Sequence, residues 1–247
     1  MKHLVLAFAL CCADLASAQT ASPPEYREWE FTPFAGGSFA GSYHFPTTVL
    51  GSDHETSRTV GMQYNSGYQL GMRVTDNFNE LWAADLEYSF ALQNLRFTNL
   101  SPDLPVLSLN NYTHHFDYNV AYMPLPRTRR FRPYVDAGAG ASLFFINGDS
   151  RSQATQQGVK LRDGTWEFLF NIGGGGKYLV ADQFAVTFDI KDAVSRIPRY
   201  GLRDTAQVIN GQFVPGIHVH GILHNWQLNV GANFQWDEWN FRRRRPI

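Results

Sequence analysis

The sequence carries little charge. Charged residues make up only 17% of the 247 residues and the formal net charge is −1, whereas roughly a quarter of a typical soluble protein is charged. No strong electrostatic field marks the chain for nucleic acid, and export by the signal peptide predicted for residues 1–18 would exclude nucleic acid as a partner by compartment. Aromatic residues, by contrast, reach 15%.

Cysteine is almost absent as well. Cys11 and Cys12 both lie in residues 1–18, where a short polar start, an apolar run and an Ala-Ser-Ala motif indicate a cleaved signal peptide. A lipoprotein anchor is the alternative, but Leu10 stands where such a leader needs a small residue. The exported chain would then contain no cysteine, which excludes disulfides, thiolate metal sites and cysteine nucleophiles.

A long hydrophobic run is also missing. A transmembrane helix needs about 20 consecutive apolar residues, and a closed β-barrel is the other structure that pairs all backbone groups in a membrane. In the segment Trp226–Trp236 every second residue is apolar, with a Trp at each end, and the alternate residues are Asn, Gln and Gly. An alternating segment of about 9–11 residues is typical of a tilted membrane-spanning strand.

Seven further segments alternate in the same way. The sequence therefore predicts an all-β fold, an eight-stranded antiparallel up-and-down transmembrane β-barrel over residues 29–236. Because outer-membrane barrels have short periplasmic turns and longer outer loops, we expect residues 19–28 to be a periplasmic lead-in and residues 237–247 a basic periplasmic tail. The short connections are 76–79, 124–132 and 181–183, and the four predicted extracellular loops are 42–65, 94–110, 147–164 and 195–221.

The aromatic residues of the apolar faces sort into two rows when the strands are placed side by side. Aromatic girdles at both membrane interfaces are typical of such barrels. The predicted periplasmic row contains Trp29, Trp82, Tyr122, Tyr178, Phe184 and Trp236. The predicted outer row contains Phe39, Phe90, Tyr112, Phe145, Trp166 and Trp226.

The opposite faces carry small polar residues and isolated charges. A soluble lipocalin-like barrel is the alternative fold, but its surface should be rich in Lys and Glu. The interior of an eight-stranded barrel is just wide enough for side chains to fill it, so we predict a salt-bridged plug, with a narrow cation pathway as the alternative. The predicted lumen charge network contains Arg73, Asp85, Glu87, Asp117, Asp136, Glu167, Lys177, Asp189 and Lys191.

The end of the last strand has a recognisable pattern. Asn229, Gly231, Phe234 and Trp236 stand at the spacing of polar, Gly, apolar and aromatic residues in a terminal barrel-assembly signal. With the hairpin over 170–192, this pattern resembles the OmpA/OmpX-like family of small outer-membrane β-barrel domains in Gram-negative envelopes. The resemblance implies recognition by the barrel-assembly machinery, although here a tail follows the aromatic residue.

Two other groups of residues resemble functional sites. Gly173–Lys177 lacks the spacing and the following Ser or Thr of a phosphate-binding loop. A metal site or a lipid-modifying centre would suit His218, His220 and His224, with Ser195 in the same outer region. The preferred interpretation is that these histidines are solvated side chains at the rim of the barrel. The sequence thus predicts no catalytic residue, no metal site and no cofactor.

The predicted role is non-catalytic. We expect a monomer that contributes to envelope integrity or contacts an external ligand through its loops. A narrow pore for small solutes and a lipid-modifying enzyme are the alternatives. Outer-membrane lipids are the expected partners, because two basic clusters fall on the periplasmic side and would attract anionic headgroups. These clusters are Arg127/Arg129/Arg130/Arg132 and Arg242–Arg245.

Overall fold

A computed structural model of the chain describes residues 25–50, 55–101, 104–156, 159–204, 207–209, 212–214 and 216–237. The predicted signal peptide, the start of the lead-in and the tail beyond residue 237 lie outside the described residues. No helix in the described ranges is long and apolar enough to cross a membrane. The elements in chain order are β1 (Trp29–Ala40), β2 (Ser42–Leu50), β3 (Glu55–Tyr64), β4 (Gly67–Asp76), β5 (Trp82–Ser101), β6 (Leu104–Tyr122), β7 (Phe131–Ile146), α1 (Gly148–Gln156), β8 (Gly164–Ala181), β9 (Phe184–Arg196), β10 (Gln207–Ile209), β11 (Gln212–Val214), β12 (Gly216–Ile217) and β13 (Ile222–Trp236).

Eight of these strands form a closed antiparallel barrel. In order around the wall they are β1, β4, β5, β6, β7, β8, β9 and β13. The barrel closes where β13 pairs with β1, with Trp29 opposite Trp236 and Phe39 opposite Trp226. Closure gives every strand of the wall a partner on both sides, as a bilayer requires. The predicted eight-stranded barrel is confirmed.

The barrel wall is polar inside and apolar outside. Along β13, Gln227 and Asn229 point inward and are each 3% exposed, whereas Leu228 and Val230 point outward and are 49% and 61% exposed. A soluble carrier requires the opposite arrangement, with apolar side chains inside. Exposed apolar side chains all around the wall fit a lipid environment instead.

The two ends of the barrel differ in their connections. At one end, here called the turn end, short connections join β4 to β5, β6 to β7 and β8 to β9, and both Trp29 and Trp236 lie there. At the other end, the loop end, β5 and β6 extend well beyond their neighbours in the wall and the longer connections fold over the opening.

Two segments predicted to be loops are largely strands at the loop end. The segment 42–65 forms the hairpin β2–β3, and β3 pairs with β5 at Gly61–Tyr64 opposite Leu95–Thr98. The segment 94–110 is the extended part of β5 and β6, which pair with each other from Trp82 to Thr98. The prediction of loops was wrong for these segments. Apolar and polar residues still alternate there, but they have exchanged faces relative to the membrane-spanning part of the strands, so the pattern of a membrane strand is broken.

An apolar core fills the loop end, and we call it the cap. Its members come from the β2–β3 hairpin, the extended β5 and β6, the end of β7, α1, the connections before β8 and β13, and the start of β13. The Tyr64 and Tyr200 hydroxyls lie 3.0 Å apart within it, and the Tyr200 hydroxyl donates to Asn111 Oδ1 at 2.8 Å. Burial raises the pKa of both tyrosines above the usual value. The buried cap residues are Phe45, Val60, Met62, Tyr64, Leu95, Phe97, Leu107, Leu109, Phe144, Ile146, Ala154, Leu161, Ile197, Tyr200, Ile217, Val219 and Leu223.

The end of the lead-in covers the turn end. Tyr26 is 1% exposed, its hydroxyl donates to the Arg130 carbonyl at 2.9 Å, and the Arg132 guanidinium lies 5.3 Å from its ring. Its ring packs with Leu179 and Ala185 of the barrel wall. Residues 25–28 are therefore part of the folded barrel, which the sequence pattern did not indicate.

Candidate functional site: the charged lumen

Arg73 is the centre of an ion-pair cluster inside the barrel. It projects inward from β4 and is 2% exposed. Its Nε donates to Glu87 Oε2 at 2.6 Å, and its Nη2 donates to Asp189 Oδ2 at 3.2 Å. Its Nη1 donates to the Tyr134 hydroxyl at 3.2 Å, and the guanidinium lies 5.7 Å from the Phe34 ring. One side chain thus connects β4 with β5, β7 and β9 across the lumen.

Lys191 on β9 extends this cluster. Its Nζ lies 2.7 Å from Glu87 Oε2 and 3.0 Å from Asp136 Oδ2. Asn229 Nδ2 donates to Asp189 Oδ1 at 2.9 Å. All five charged members are 4% exposed or less. We call them the central cluster: Arg73, Glu87, Asp136, Asp189 and Lys191.

A second ion pair lies nearer the turn end. Lys177 Nζ is 2.6 Å from Glu30 Oε2, and both side chains are 3% exposed or less. Asn77 Nδ2 donates to Glu30 Oε1 and Asn233 Nδ2 donates to Glu30 Oε2, each at 2.7 Å. The carboxylate is therefore held by one cation and two amides from three separate parts of the chain, as a buried charge must be.

Two buried carboxyl groups have no ion pair among the described residues. Asp117 accepts hydrogen bonds from Asn119 Nδ2 at 2.8 Å and from Asn171 Nδ2 at 2.9 Å. Asp85, at 2% exposed, lies in the field of Arg73 and Lys177 without touching either within ion-pair distance. The lumen thus holds more acidic than basic groups.

Eight of the nine predicted lumen charges are buried inward, and one is not. Glu167 is only partly buried, and the cations acting on its carboxylate are Arg196 and Arg199 at the loop end. It shares the inward parity of Asn171 but lies four residues closer to the end of the barrel. The alternation of side chains predicts the face of the strand on which a residue lies, but not its height along the barrel axis. Glu167 therefore does not join the charge network.

Two buried charges were missed by the sequence reasoning. Glu30 lies between the outward-facing Trp29 and Phe31, so alternation alone would have placed it inside. Arg132 was assigned to a basic connection, yet it begins the inward face of β7, is 0% exposed and donates from Nη2 to the Glu80 carbonyl at 2.8 Å. Pro33 and the glycines in β1 had obscured the first strand.

The three histidines at the loop end do not converge on one centre, although the rings of His218 and His220 lie 4.9 Å apart. His224 Nδ1 lies 2.7 Å from Asp192 Oδ2, and His218 Nδ1 lies 3.2 Å from Asp204 Oδ1. The Ser195 hydroxyl donates to the Arg196 carbonyl at 3.2 Å. In the part of the chain that the structure describes, no group of three His, Cys, Asp or Glu side chains could hold a metal ion.

The glycine-rich segment lies inside a wall strand. Gly173–Gly176 pair with β7 on one side and β9 on the other. Lys177, which follows them, binds Glu30 in the lumen. A phosphate-binding loop requires a turn leading into a helix, and this segment is continuous strand, so it has no such role.

The predicted aromatic rows lie at opposite ends of the outer wall. At the turn end Trp29 is opposite Trp236, and the rings of Trp82 and Tyr122 lie 4.9 Å apart. At the loop end the rings of Phe90 and Tyr112 are stacked at 6.0 Å. All twelve predicted residues are partly or fully exposed on the outside of the barrel. A closed eight-stranded barrel with this outer surface defines the class of small outer-membrane barrels.

A family match and the fold of a solved structure, OprG, support this class. The chain matches the family described as outer membrane protein beta-barrel domain over residues 4–234. Among solved structures, OprG from Pseudomonas aeruginosa is 13% identical, with 88% of this chain and 100% of that chain covered and a TM-score of 0.55. The N-terminal barrel of OprF from Pseudomonas aeruginosa is 14% identical, with 86% and 100% covered and a TM-score of 0.39. Neisserial surface protein A is 10% identical, with 83% and 97% covered and a TM-score of 0.41.

The family match covers most of the chain. This protein belongs to the outer membrane protein beta-barrel domain family, and it is a small outer-membrane β-barrel protein of the Gram-negative envelope. The predicted resemblance to OmpA-like barrels is confirmed. No sequence among the curated proteins compared matches this chain.

Proposed function

We propose that this protein is a closed, non-catalytic barrel that does not conduct, and that it acts in envelope integrity or surface contact. One observation carries the proposal: the charges of the central cluster are 4% exposed or less, and they connect opposite walls of the lumen. Residues held in this way leave the interior filled, and replacing either partner of a buried ion pair is costly.

The cap and Tyr26 support the same proposal. The apolar cap lies over the loop end, and Tyr26 with Arg132 lies across the turn end. In this assignment the turn end faces the periplasm, because short turns are periplasmic in such barrels. The two aromatic rows then lie at the two membrane interfaces, and the loop end presents the cap to the outside, where an external ligand or partner would bind.

Assembly and export belong to the same proposal. Residues 1–18 act as a cleaved signal peptide, and the assembly signal, Asn229, Gly231, Phe234 and Trp236, is read by the barrel-assembly machinery. The signal lies on β13, the strand that closes the barrel against β1. The protein functions as a monomer in this proposal, with outer-membrane lipids as its immediate partners.

Planar-bilayer conductance of the refolded mature chain tests whether the barrel is closed. We expect no steady conductance from the wild-type protein. A steady, cation-selective current would contradict the proposal and support a pore, which the surplus of lumen carboxyl groups would favour. A change in lipid A mass after incubation with the protein would contradict the non-catalytic assignment. Such a result would make His224, Asp192 and Ser195 the candidate catalytic residues.

A further inference from the structure

A groove runs across the lipid-facing side of the wall. It has a volume of about 710 Å³ and crosses β7, β8, β9, β13 and β1, and cavities of roughly 300–1,000 Å³ are the usual size for small-molecule sites. It lies between the two aromatic rows, so its environment is the acyl region of the bilayer. The outward side chains that line it are Ala35, Phe131, Phe188, Ile190, Leu228 and Val230, and the lining is completed by Gly36, Tyr134, Gly174, Gly175, Asp189 and Asn229.

Two glycines and a pair of stacked rings give the groove its shape. Gly174 and Gly176 face outward on β8, where the other outward residues are large. The Phe131 ring lies over Gly176, because a Cβ on that glycine would be 2.6 Å from the ring. Phe131 and Phe188 stack with centroids 6.3 Å apart and planes 10° from parallel. The strand is therefore bare of side chains at Gly174, whereas at Gly176 it is covered by the Phe131 ring.

Two exposed arginines stand in the turn that leads into the groove wall. Arg129 and Arg130 immediately precede Phe131, and both are exposed. Within the described residues neither guanidinium takes part in an ion pair. The Arg130 carbonyl accepts hydrogen bonds from the Leu179 amide at 2.7 Å and from the Tyr26 hydroxyl at 2.9 Å. This anchoring fixes the point where the basic turn enters the groove wall.

We propose that the groove and the two arginines form one binding site for an anionic glycerophospholipid. An acyl chain lies against Ala35, Leu228 and the Phe131–Phe188 wall, and Arg129 and Arg130 donate hydrogen bonds to the phosphate. The choice of lipid rests on the orientation proposed above: with the turn end facing the periplasm, the charges lie at the periplasmic leaflet, so the source is phospholipid of that leaflet and not lipid A. The site does not depend on whether the lumen conducts.

Native mass spectrometry of the full mature protein, released from micelles containing phosphatidylglycerol, tests the acyl-chain half of the site. We expect one phosphatidylglycerol to be retained per chain, and Ala35→Phe to lower its retention at least fivefold by filling the groove. Ala139→Phe, on an outward position of β7 outside the groove, is the matched control and should change nothing. Leu228→Trp fills the same groove if Ala35→Phe does not fold. Equal retention in the groove and control variants would overturn the proposal.

The headgroup half is tested with phosphatidylcholine of the same chain length as the competitor. We expect the wild-type protein to prefer phosphatidylglycerol at least fivefold, and the double variant R129Q/R130Q to lose this preference. R96Q removes an exposed arginine at the loop end and should keep it. If the preference survives R129Q/R130Q, the assignment of the phosphate to these arginines is wrong.

Discussion

The lumen and the cap are built from the same strands with opposite polarity. In the part of β5 nearer the turn end, Asp85, Glu87 and Gln93 face inward. Beyond them on the same face stand Leu95 and Phe97, which are 1% exposed or less and belong to the cap. In β6 the inward face changes in the same way, from Asp117, His115 and Asn111 to Leu109 and Leu107.

The difference shows that the solvent outside the wall decides what lies inside it. Where lipid surrounds the barrel, apolar side chains cover the outside and the polar groups must satisfy one another within. Where the strands rise above the aromatic row, Asn94 and Arg96 face outward and are exposed, and apolar side chains are buried as in a soluble protein. The protein thus has two cores, one held by ion pairs and one by the hydrophobic effect.

Removing the central cation should have the largest effect, and it tests the first core alone. Arg73→Ala leaves Glu87 and Asp189 buried without their shared partner, so we expect the free energy of unfolding to fall by about 3–5 kcal/mol. Urea titration followed by the heat-dependent shift on SDS gels measures it. Arg96→Ala removes an exposed arginine of β5 and should stay within about 0.5 kcal/mol of wild type. Equal effects of the two variants would contradict a structural role for the cluster.

Truncating a cap side chain tests the second core. Phe97→Ala removes a buried ring and should destabilise the cap by about 3–5 kcal/mol locally. Because the lumen cluster is separate, the barrel should keep its heat-dependent gel shift while protease cleaves the loop end faster. Limited proteolysis followed by mass spectrometry locates the cuts. If the gel shift disappears when the cap unfolds, the two cores are one cooperative unit.

Exchanging a polar and an apolar residue where the lumen meets the cap tests where the boundary between the two cores lies. Gln93 and Leu95 share the inward face of β5, and Gln93 Nε2 donates to Ser38 Oγ at 3.0 Å. Gln93→Leu should cost about 1–3 kcal/mol by leaving polar groups of the lumen unpaired. Leu95→Gln buries an amide in the cap and should cost more than Gln93→Leu in the same urea titration. The reverse order would place the boundary elsewhere.

The smallest expected effect concerns the closure of the turn end. Tyr26→Phe removes one hydrogen bond, to the Arg130 carbonyl, and keeps the ring beneath Arg132. We expect a loss of about 0.5–1.5 kcal/mol, seen as a slightly lower urea midpoint with an unchanged slope. Tyr26→Ala, which also removes the ring, should lose more. If both variants match wild type, the lead-in does not contribute to the stability of the barrel.

Much of the wall followed from local alternation. The faces of β4, β5, β7, β9 and β13 could be assigned residue by residue, because side chains alternate strictly along any strand. The same rule would have found Glu30 had β1 been treated like the other strands. It failed for Glu167, whose face was assigned correctly but whose height in the barrel depends on how the neighbouring strands are staggered.

The sequence by itself therefore determined the number of barrel strands, their faces and the aromatic rows, since each depends on residues close together in the chain. Only the tertiary structure decided the ion pairs, the cap and the groove. Glu30 and Lys177 are 147 residues apart, and Arg73 reaches Asp189 across the lumen. Such contacts depend on the register at which the barrel closes and on loops that fold back over its end. Neither is encoded in the period of a single strand.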